Sequence, residues 1–230
     1  MKKIYIITGA NGFLGNNIIR KLEQDADNEI RAFVLNGDSI KSLEKLRCKI
    51  YYGDVTKKET LSSIFENIDG KEVFVIHCAA VVYIKSKYNP LVYNVNVNGT
   101  KNIVDKVIES KAKLIYISSV HAIPEQPNNE LITEITNFNP DNVKGLYAKT
   151  KAEAAKYVLD AVKNKNTDYC CNGDDPASIN STFLLVVTYF ASDRYIFCRS
   201  YDTKSKYTIG KLKPRSRKME TDGTKILRSV

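Results

Sequence analysis

The sequence predicts an α/β protein with a doubly wound parallel sheet and helices on both faces. Over residues 1–165, short runs of β-branched residues alternate with stretches of helical periodicity. Runs such as VFVI at 73–76 and KLIYI at 113–117 are almost entirely apolar, which is typical of strands buried on both sides. A glycine-rich turn joins the first strand directly to the first helix. Together these observations favour parallel strands joined by right-handed helical crossovers.

Each element follows from its own pattern. Short apolar runs bounded by turn residues predict strands at residues 4–8, 30–35, 49–52, 73–77 and 113–118. Apolar residues at helical spacing predict helices at 12–24, 39–46, 90–110 and 145–164, and another after residue 56 that carries Leu61, Ile64, Phe65 and Ile68. Ser39 and Thr56 are the expected N-caps of two of these helices. A loop rich in proline and asparagine, residues 124–142, precedes the last helix.

The character of the chain changes near residue 166. A polar, turn-rich stretch is followed by two β-rich stretches, at 182–190 and 194–199, and then by thirty polar and basic residues. We therefore divide the chain into a nucleotide-binding domain at 1–165 and an atypical or incomplete C-terminal segment at 166–230. We expect the apolar run 183–187 to pair with the sheet, and the rest of this segment to fall short of a complete substrate domain.

Composition narrows the classes of partner and compartment. The chain has 230 residues, 43% of them hydrophobic, and a formal charge of +9. Its basic residues are scattered, and no basic stripe interleaved with aromatic residues indicates nucleic acid. Five cysteines form no C-x-x-C pair and no set flanked by histidine, so we expect no metal site. Without a leader or an apolar run that could span a bilayer, we expect a cytoplasmic protein with no membrane partner.

The strongest functional signal is the loop TGANGFLG at residues 8–15. Glycine at the first position allows a tight turn, glycine at the second lets the backbone approach a pyrophosphate, and glycine at the third lets helix and strand pack closely. The helix N-terminus then offers N–H groups and a positive dipole to the phosphates. This strand–turn–helix predicts a Rossmann dinucleotide site, with the cofactor-binding residues Gly9, Asn11, Gly12, Phe13, Leu14 and Gly15.

Two further groups of candidate cofactor contacts lie where strands end, on the carboxyl edge where nucleotides bind such sheets. Asp54 and Val55 follow the third strand, and Asp54 either accepts a hydrogen bond from an adenine amino group or caps the next helix. Cys78, Ala79 and Ala80 follow the fourth strand, and their small side chains permit close approach of a cofactor. We interpret His77 as a packed strand residue rather than a ligand.

A candidate catalytic set comes later in the chain. Ser118 and Ser119 end the fifth strand, and Tyr147 and Lys151 lie four residues apart, on one face of a helix. A neighbouring ammonium favours phenolate and should lower the pKa of the tyrosine, which makes it useful for proton transfer. Lys151 could also bind ribose hydroxyls, and a serine hydroxyl could polarise a substrate carbonyl.

The order of these motifs resembles the extended short-chain dehydrogenase/reductase superfamily, in its NAD-dependent epimerase/dehydratase and dihydroflavonol-reductase-like branch. The similar segments are TGANGFLG (8–15), GDV (53–55), HCAA (77–80), NVNGT (96–100), YISS (116–119) and YAKTK (147–151). The resemblance implies a catalytic triad of Ser119, Tyr147 and Lys151, with Tyr147 and Lys151 also touching the cofactor. It implies that Asn96 contacts the cofactor or a structural water; a buried helix amide is the alternative. It ends near residue 165, since residues 166–230 do not align with the sixth strand or substrate domain of relatives.

These expectations define a function with open alternatives. The leading hypothesis is an NAD(P)-dependent oxidoreductase that transfers hydride between nicotinamide and a carbonyl or alcohol of a small-molecule substrate. Sugar-nucleotide epimerase or dehydratase chemistry is the first alternative, and a dinucleotide-binding module without turnover is the second. The cofactor is NAD or NADP, and the absence of an arginine after the second strand favours NAD, although Asp38 is displaced from the usual position of an acid. We also allow for a homodimer.

Overall fold

Within the part of the chain that the structure describes, seven strands form one sheet, in the order β3-β2-β1-β4-β5-β6-β7. The structure, a computed structural model, describes residues 3–85, 87–125, 135, 137–168, 183–188 and 196–200. For residues 163–168 and for the last two strands, only the backbone is described. The strands are β1 (Lys3–Thr8), β2 (Asn28–Val34), β3 (Lys49–Tyr52), β4 (Glu72–His77), β5 (Lys113–Ser119), β6 (Phe183–Thr188) and β7 (Ile196–Ser200). The predicted doubly wound parallel fold is confirmed, since β1 to β6 all pair in parallel and the strand order reverses direction between β1 and β4.

Helices connect these strands and cover the sheet. The regular ones are α1 (Phe13–Leu22), α2 (Pro90–Tyr93), α3 (Thr100–Glu109) and α4 (Leu146–Asp168). The predicted helix at 90–110 is one continuous helical stretch, but a π-helical turn, Asn94–Gly99, separates α2 from α3. Short 3-10 turns occupy Lys58–Phe65, Val120–Ala122 and Pro140–Asn142.

Two apolar cores lie on opposite faces of the sheet. Helices α3 and α4 pack against one face over residues such as Val104 and Val158, while α1 packs against the other through Ile19 and Leu22. Burial on both faces explains the apolar strands seen in the sequence, because every second side chain of a central strand enters each core. The sheet thus holds the carboxyl ends of β1, β4 and β5 side by side.

Two predicted helix details are wrong. Residues 39–46 form successive turns rather than a helix, with hydrogen bonds from the Leu43 nitrogen to the Ile40 oxygen and from the Leu46 nitrogen to the Leu43 oxygen. The Asn16 side chain donates to the Ser42 carbonyl at 2.8 Å, so a tertiary contact takes a carbonyl that a helix would use.

Thr56 is not a helix cap. Its nitrogen and hydroxyl both donate to the Asp54 carboxylate, at 2.9 and 2.8 Å, and the following 3-10 helix begins only at Lys58. Leu61 and Ile64 are buried as expected, but Ile68 lies beyond the end of this helix. The position before this helix is Lys57, and no side chain caps the helix.

The C-terminal segment contributes more to the sheet than the sequence predicts. Although residues 166–230 do not align in sequence with the sixth strand of relatives, β6 pairs in parallel with β5, with Leu114 opposite Phe183 and Ser119 opposite Thr188. The predicted pairing of the run at 183–187 is confirmed. Strand β7 then runs antiparallel to β6. Helix α4 extends to Asp168, past the predicted end at 164. The domain division at residue 165 stays a prediction, and the tail from 201 lies outside the described residues.

The described residues contain neither a helix that could cross a membrane nor a cluster of metal ligands. Among them, no helix is long and apolar enough to cross a membrane. In the same part of the chain, no group of three or more histidine, cysteine or acidic side chains could hold a metal ion.

Candidate active site

The glycine loop lies between β1 and α1 and touches the chain that follows β4. Gly9 has a φ of +63°, and a Cβ there would lie 2.9 Å from the Ala79 nitrogen. A Cβ on Gly15 would collide with the Gly9 carbonyl oxygen and lie 2.9 Å from the Ala10 Cα. Both glycines are therefore fixed by the chain's own packing. Gly12 differs, since it is exposed and a Cβ there would meet the Gly9 oxygen at 3.2 Å.

The N-terminus of α1 opens at this loop. Gly12 is the N-cap and has no side chain with which to cap the helix. The first N–H groups of a helix lack acceptors within it, so those of Phe13, Leu14 and Gly15 are available to an anion. The Phe13 side chain is 79% exposed beside them. The loop therefore fits a dinucleotide pyrophosphate, with an exposed glycine where the phosphates would approach.

Asp38 lies against this loop, although the sequence places it too far along the chain. The Asn11 side-chain nitrogen donates to the Asp38 carboxylate at 3.1 Å, and to the Ser39 carbonyl at 3.4 Å. A turn closed by the Asp38 nitrogen on the Leu35 carbonyl, with Gly37 at a φ of +91°, bends the chain back after β2. Asn11 thus positions an exposed carboxylate at the carboxyl edge of the sheet.

Asp54 and Val55 hold the loop after β3. One Asp54 carboxylate oxygen accepts both Thr56 hydrogen bonds, so Asp54 closes a turn before the helix and does not cap it. Val55 is buried, and a Cβ on Gly99 would lie 2.8 Å from its Cγ2. Val55 is therefore a core residue. Its contact with a cofactor, like that of Asp54, stays a prediction.

A directed chain of hydrogen bonds crosses the floor of the site. The Ala79 nitrogen donates to the Thr8 hydroxyl at 3.1 Å, and the Thr100 hydroxyl donates to the Asn96 carbonyl at 2.7 Å. Between them, His77 Nδ1 lies 2.7 Å from the Thr8 Oγ1 and His77 Nε2 lies 3.1 Å from the Thr100 Oγ1. Because the Thr100 proton is committed to the carbonyl, Nε2 must be the donor; Nδ1 then accepts from Thr8.

His77 is the packed strand residue that the sequence predicts. Burial, together with the charge of Lys151, lowers the pKa of His77 to about 3, so the ring is neutral at physiological pH. Its two hydrogen bonds join β1 to α3 and hold Ala79 against Gly9. The small residues after β4 were predicted to allow a cofactor to approach closely. In the structure, Ala79, which lies between Cys78 and Ala80, is packed against the glycine loop.

Lys151 is only 3% exposed, and its surroundings depress its basicity. Its Nζ donates to the Ile117 carbonyl at 2.6 Å and lies 4.6 Å from the centre of the Tyr116 ring. Burial lowers the pKa of Lys151 to about 7, while burial raises that of the nearby Cys78 thiol to about 12. The ammonium therefore lies at the end of β5, where the Ile117 carbonyl accepts its hydrogen bond, and it gains or loses a proton near neutrality.

Ser119 and Tyr147 come together at the end of β5. The Ser119 side chain interacts with the Tyr147 hydroxyl, and this interaction lowers the pKa of Tyr147. Burial raises the pKa of Tyr147, and the interaction with Ser119 lowers it by less, so the predicted lowering by Lys151 is wrong for this structure. The reason is burial, because the cost of removing the phenolate from water outweighs the contribution of Ser119. The structure thus groups Ser119 with Tyr147 and places Lys151 one helical turn away; their catalytic roles stay a prediction.

Asn96 lies in the π-helical turn and has partners within the chain. Its Nδ2 donates to the Val81 carbonyl at 3.0 Å and to the Thr150 hydroxyl at 3.1 Å, and its Oδ1 accepts from the Val81 nitrogen at 2.8 Å. Both of its amide protons are used, which favours the alternative of a buried helix amide. It ties the loop after β4 to the helix that carries Tyr147, so any contact with a cofactor would use the remaining lone pair of Oδ1.

Sequence reasoning missed one residue and dismissed another. His121 lies on the turn after β5, with Nδ1 3.2 Å from the Ser119 Oγ and its ring edge-on to Tyr147, the centroids 6.1 Å apart. Its position two residues after a strand-end serine was the available signal. Asp38 was set aside because the turn at Gly37, which brings it back to Asn11, is not visible in a count of residues.

Comparison with known proteins decides the family. Residues 6–172 match the family model described as the 3-beta hydroxysteroid dehydrogenase/isomerase family. The chain belongs to this family. This membership confirms the resemblance to extended short-chain dehydrogenases that the motifs indicated.

Individual relatives match the same part of the chain. Mouse 3 beta-hydroxysteroid dehydrogenase type 7 is 33% identical over 175 residues, which cover 69% of this chain and 44% of the relative. Sterol demethylase protein B of Methylococcus capsulatus is 27% identical over 163 residues, covering 69% of this chain and 47% of that protein. This member of the 3-beta hydroxysteroid dehydrogenase/isomerase family thus spans about half the length of the curated relatives it matches.

Solved structures share the fold. A monomeric L-threonine 3-dehydrogenase from a metagenome has a TM-score of 0.57 at 25% identity, over 71% of this chain and 50% of that one. The UDP-glucose 4-epimerase of Thermus thermophilus, solved in complex with NAD, has a TM-score of 0.59 at 22% identity, over 71% of this chain and 52% of that one. The Rossmann architecture of this 3-beta hydroxysteroid dehydrogenase/isomerase family member is thereby shown.

Proposed function

We propose that this chain is an NAD(P)-dependent oxidoreductase that interconverts an alcohol and a carbonyl. The observation that carries the proposal is that Ser119 and Tyr147 lie together at the carboxyl end of β5. The exposed Gly12 of the glycine loop lies at the same edge of the sheet. Membership of the 3-beta hydroxysteroid dehydrogenase/isomerase family supports it.

The residues present fit a dinucleotide. A Cβ would fill the loop at Gly9 and Gly15, Gly12 is exposed, and the helix N–H groups of Phe13 to Gly15 face no capping side chain. These residues would hold the pyrophosphate, Asp38 would accept from ribose hydroxyls, and Lys151 would lie near the nicotinamide end. When bound, the nicotinamide ring supplies the acceptor or donor of hydride.

The chain's own groups handle the proton. The Tyr147 hydroxyl would give a proton to the developing alkoxide in reduction and take one from the alcohol in oxidation. Ser119 would interact with the Tyr147 hydroxyl and orient it toward the substrate oxygen. The Lys151 Nζ, at the end of the same strand, would donate to ribose hydroxyls of the cofactor.

Exposed apolar side chains favour one substrate class. Between the end of β4 and α2, the side chains of Val82, Ile84, Tyr88 and Leu91 are exposed, Ile84 to 97%. Side chains of this kind would contact an apolar alcohol or ketone better than a sugar nucleotide, whose hydroxyls and phosphates need polar partners. Curated relatives named 3 beta-hydroxysteroid dehydrogenase are consistent with that class. A sugar-nucleotide epimerase is the second candidate, on the likeness of fold.

A substrate panel tests the proposal. The chain is incubated with NAD⁺ or NADP⁺ and with one compound at a time: a 3β-hydroxysteroid, L-threonine, UDP-glucose or dTDP-glucose. The absorbance of reduced nicotinamide and the formation of products are measured. We expect turnover of the steroid alcohol to exceed that of the polar compounds. Conversion of UDP-glucose alone would establish the epimerase alternative. Tight dinucleotide binding with no turnover of any compound would instead establish a binding module.

Asp38 gives a prediction on the choice of cofactor. A carboxylate accepts from the ribose diol of NAD and repels the 2′-phosphate of NADP. Replacing Asp38 with asparagine should shift the ratio of the NAD⁺ and NADP⁺ dissociation constants toward NADP⁺ by tenfold or more, about 1.4 kcal/mol, by calorimetry. The control is Asp27→Asn, because Asp27 is also exposed but precedes β2, at the opposite edge of the sheet. An unchanged ratio in Asp38→Asn would remove Asp38 from the site.

A further inference from the structure

His121 lies beside both groups that the proposed mechanism uses for the proton. It sits on the 3-10 turn Val120–Ala122, directly after β5, and is exposed. Its backbone nitrogen donates to the Ser119 Oγ at 3.3 Å, and its ring Nδ1 lies 3.2 Å from the same oxygen. Its ring contacts the Tyr147 ring edge-on. One imidazole thus reaches from the Ser119–Tyr147 pair to the surface.

The hydrogen bonds around Ser119 allow two directions. A serine oxygen has one proton and two lone pairs, and the His121 backbone N–H uses one of those lone pairs. In the first arrangement, Tyr147 donates to Ser119 and Ser119 donates to the His121 Nδ1. In the second, Nδ1–H donates to Ser119 and Ser119 donates to Tyr147. The two arrangements join the same atoms and differ only in the positions of the protons.

We propose that His121 is a positioning residue that relays protons between the Ser119–Tyr147 pair and solvent. The Ser119 hydroxyl is hydrogen-bonded to the exposed imidazole of His121 and interacts with the Tyr147 hydroxyl, and an imidazole can accept a proton on one nitrogen and release one from the other. The relay rests on the proposed oxidoreductase function, because that function requires one proton to enter or leave the site in each turnover.

The proton count is balanced in the direction of alcohol oxidation. The substrate hydroxyl gives its proton to Tyr147, Tyr147 gives its own to Ser119, and Ser119 gives its own to the His121 Nδ1. His121 then releases the Nε2 proton to water. Each of the three residues ends with as many protons as it had, and one proton has passed from substrate to solvent. The electron pair leaves separately as hydride to the bound nicotinamide. Because the ring is exposed, exchange with water restores its starting tautomer.

The first test does not depend on turnover. The chain contains two histidines, and the buried His77 serves as an internal reference for ¹⁵N NMR of the imidazole nitrogens. We expect the His121 Nδ1 resonance to move in Ser119→Ala and also in Tyr147→Phe, which keeps the ring contact and removes only the hydroxyl. The matched control is Tyr93→Phe, because that hydroxyl is bonded to Glu153 on α4 instead. Resonances unchanged in Ser119→Ala and Tyr147→Phe would overturn the proposal.

The second test separates proton relay from packing. With the panel substrate that the wild-type chain turns over, His121→Ala should lower turnover about tenfold or more, within the range of proton-transfer effects. His121→Asn, whose amide can replace the Nδ1 hydrogen bond but cannot carry a proton, should be as slow. Added imidazole should restore turnover in His121→Ala, whereas sodium chloride at equal ionic strength should not. Full activity in His121→Asn would reject the relay. A wild-type chain with no turnover would reject the proposed function, and the NMR result alone would then decide the connection.

Discussion

Replacing Tyr147 with phenylalanine is expected to lower turnover about a hundredfold or more while the fold survives. The phenylalanine ring keeps the contact with His121 and the packing of α4, and the change removes only the hydroxyl that Ser119 binds. Steady-state rates of the purified variant, with circular dichroism to verify folding, measure the effect.

A control for this variant comes from another contact of helix α4. Tyr93→Phe also removes a tyrosine hydroxyl, the one that donates to Glu153 at 2.7 Å, and it should leave turnover within about twofold of wild type, since the altered contact lies outside the proton-transfer set. Near-normal turnover in Tyr147→Phe would exclude the proposed proton transfer. Equal losses in the two variants would indicate that α4 had been disturbed as a whole.

Replacing Gly12 with valine is expected to weaken dinucleotide binding at least tenfold, which corresponds to about 1.4 kcal/mol. Gly12 is exposed and has a φ of −75°, which any residue adopts, so the chain itself tolerates a side chain there. A valine would occupy the space through which the pyrophosphate approaches the helix N–H groups. Calorimetry with NAD⁺ measures the loss.

Two alanine substitutions in the glycine loop serve as comparisons for Gly12→Val. Gly12→Ala adds one carbon 3.2 Å from the Gly9 oxygen and should weaken binding less than valine does, at nearly unchanged stability. Gly15→Ala should instead lower the free energy of unfolding, because its Cβ would collide with the Gly9 oxygen and the Ala10 Cα. If Gly12→Val bound NAD⁺ as tightly as wild type, the loop would not be the pyrophosphate site.

The parts of the fold that could be predicted are those fixed by local pattern. The first five strands lie within two residues of their predicted bounds, because a strand buried on both faces must be a short apolar run. The glycine loop was predicted for the same kind of reason, since the collisions at Gly9 and Gly15 leave no choice of residue.

The parts that could not be predicted depend on distant contacts. The run at 183–187 was expected to pair with the sheet, but its position beside β5 and the antiparallel pairing of β7 could not be predicted, because both depend on strands distant in the sequence. Residues 39–46 have helical periodicity, but the Asn16 amide takes the Ser42 carbonyl. In the site, Asp38 and His121 reach their neighbours through tight turns, at Gly37 and at Val120–Ala122, which change direction within a few residues.

The directed hydrogen bonds through His77 have an evolutionary consequence. Every donor from the Ala79 nitrogen to the Thr100 hydroxyl points the same way along the series, so a single replacement leaves a buried donor or acceptor without a partner on one side. Replacing Thr8 or Thr100 alone should therefore be selected against, whereas joint replacement of Thr8, His77 and Thr100 by apolar residues of similar shape would be better tolerated. Among homologous sequences, Thr8, His77 and Thr100 should be inherited and lost together, as a single heritable unit rather than three independent positions.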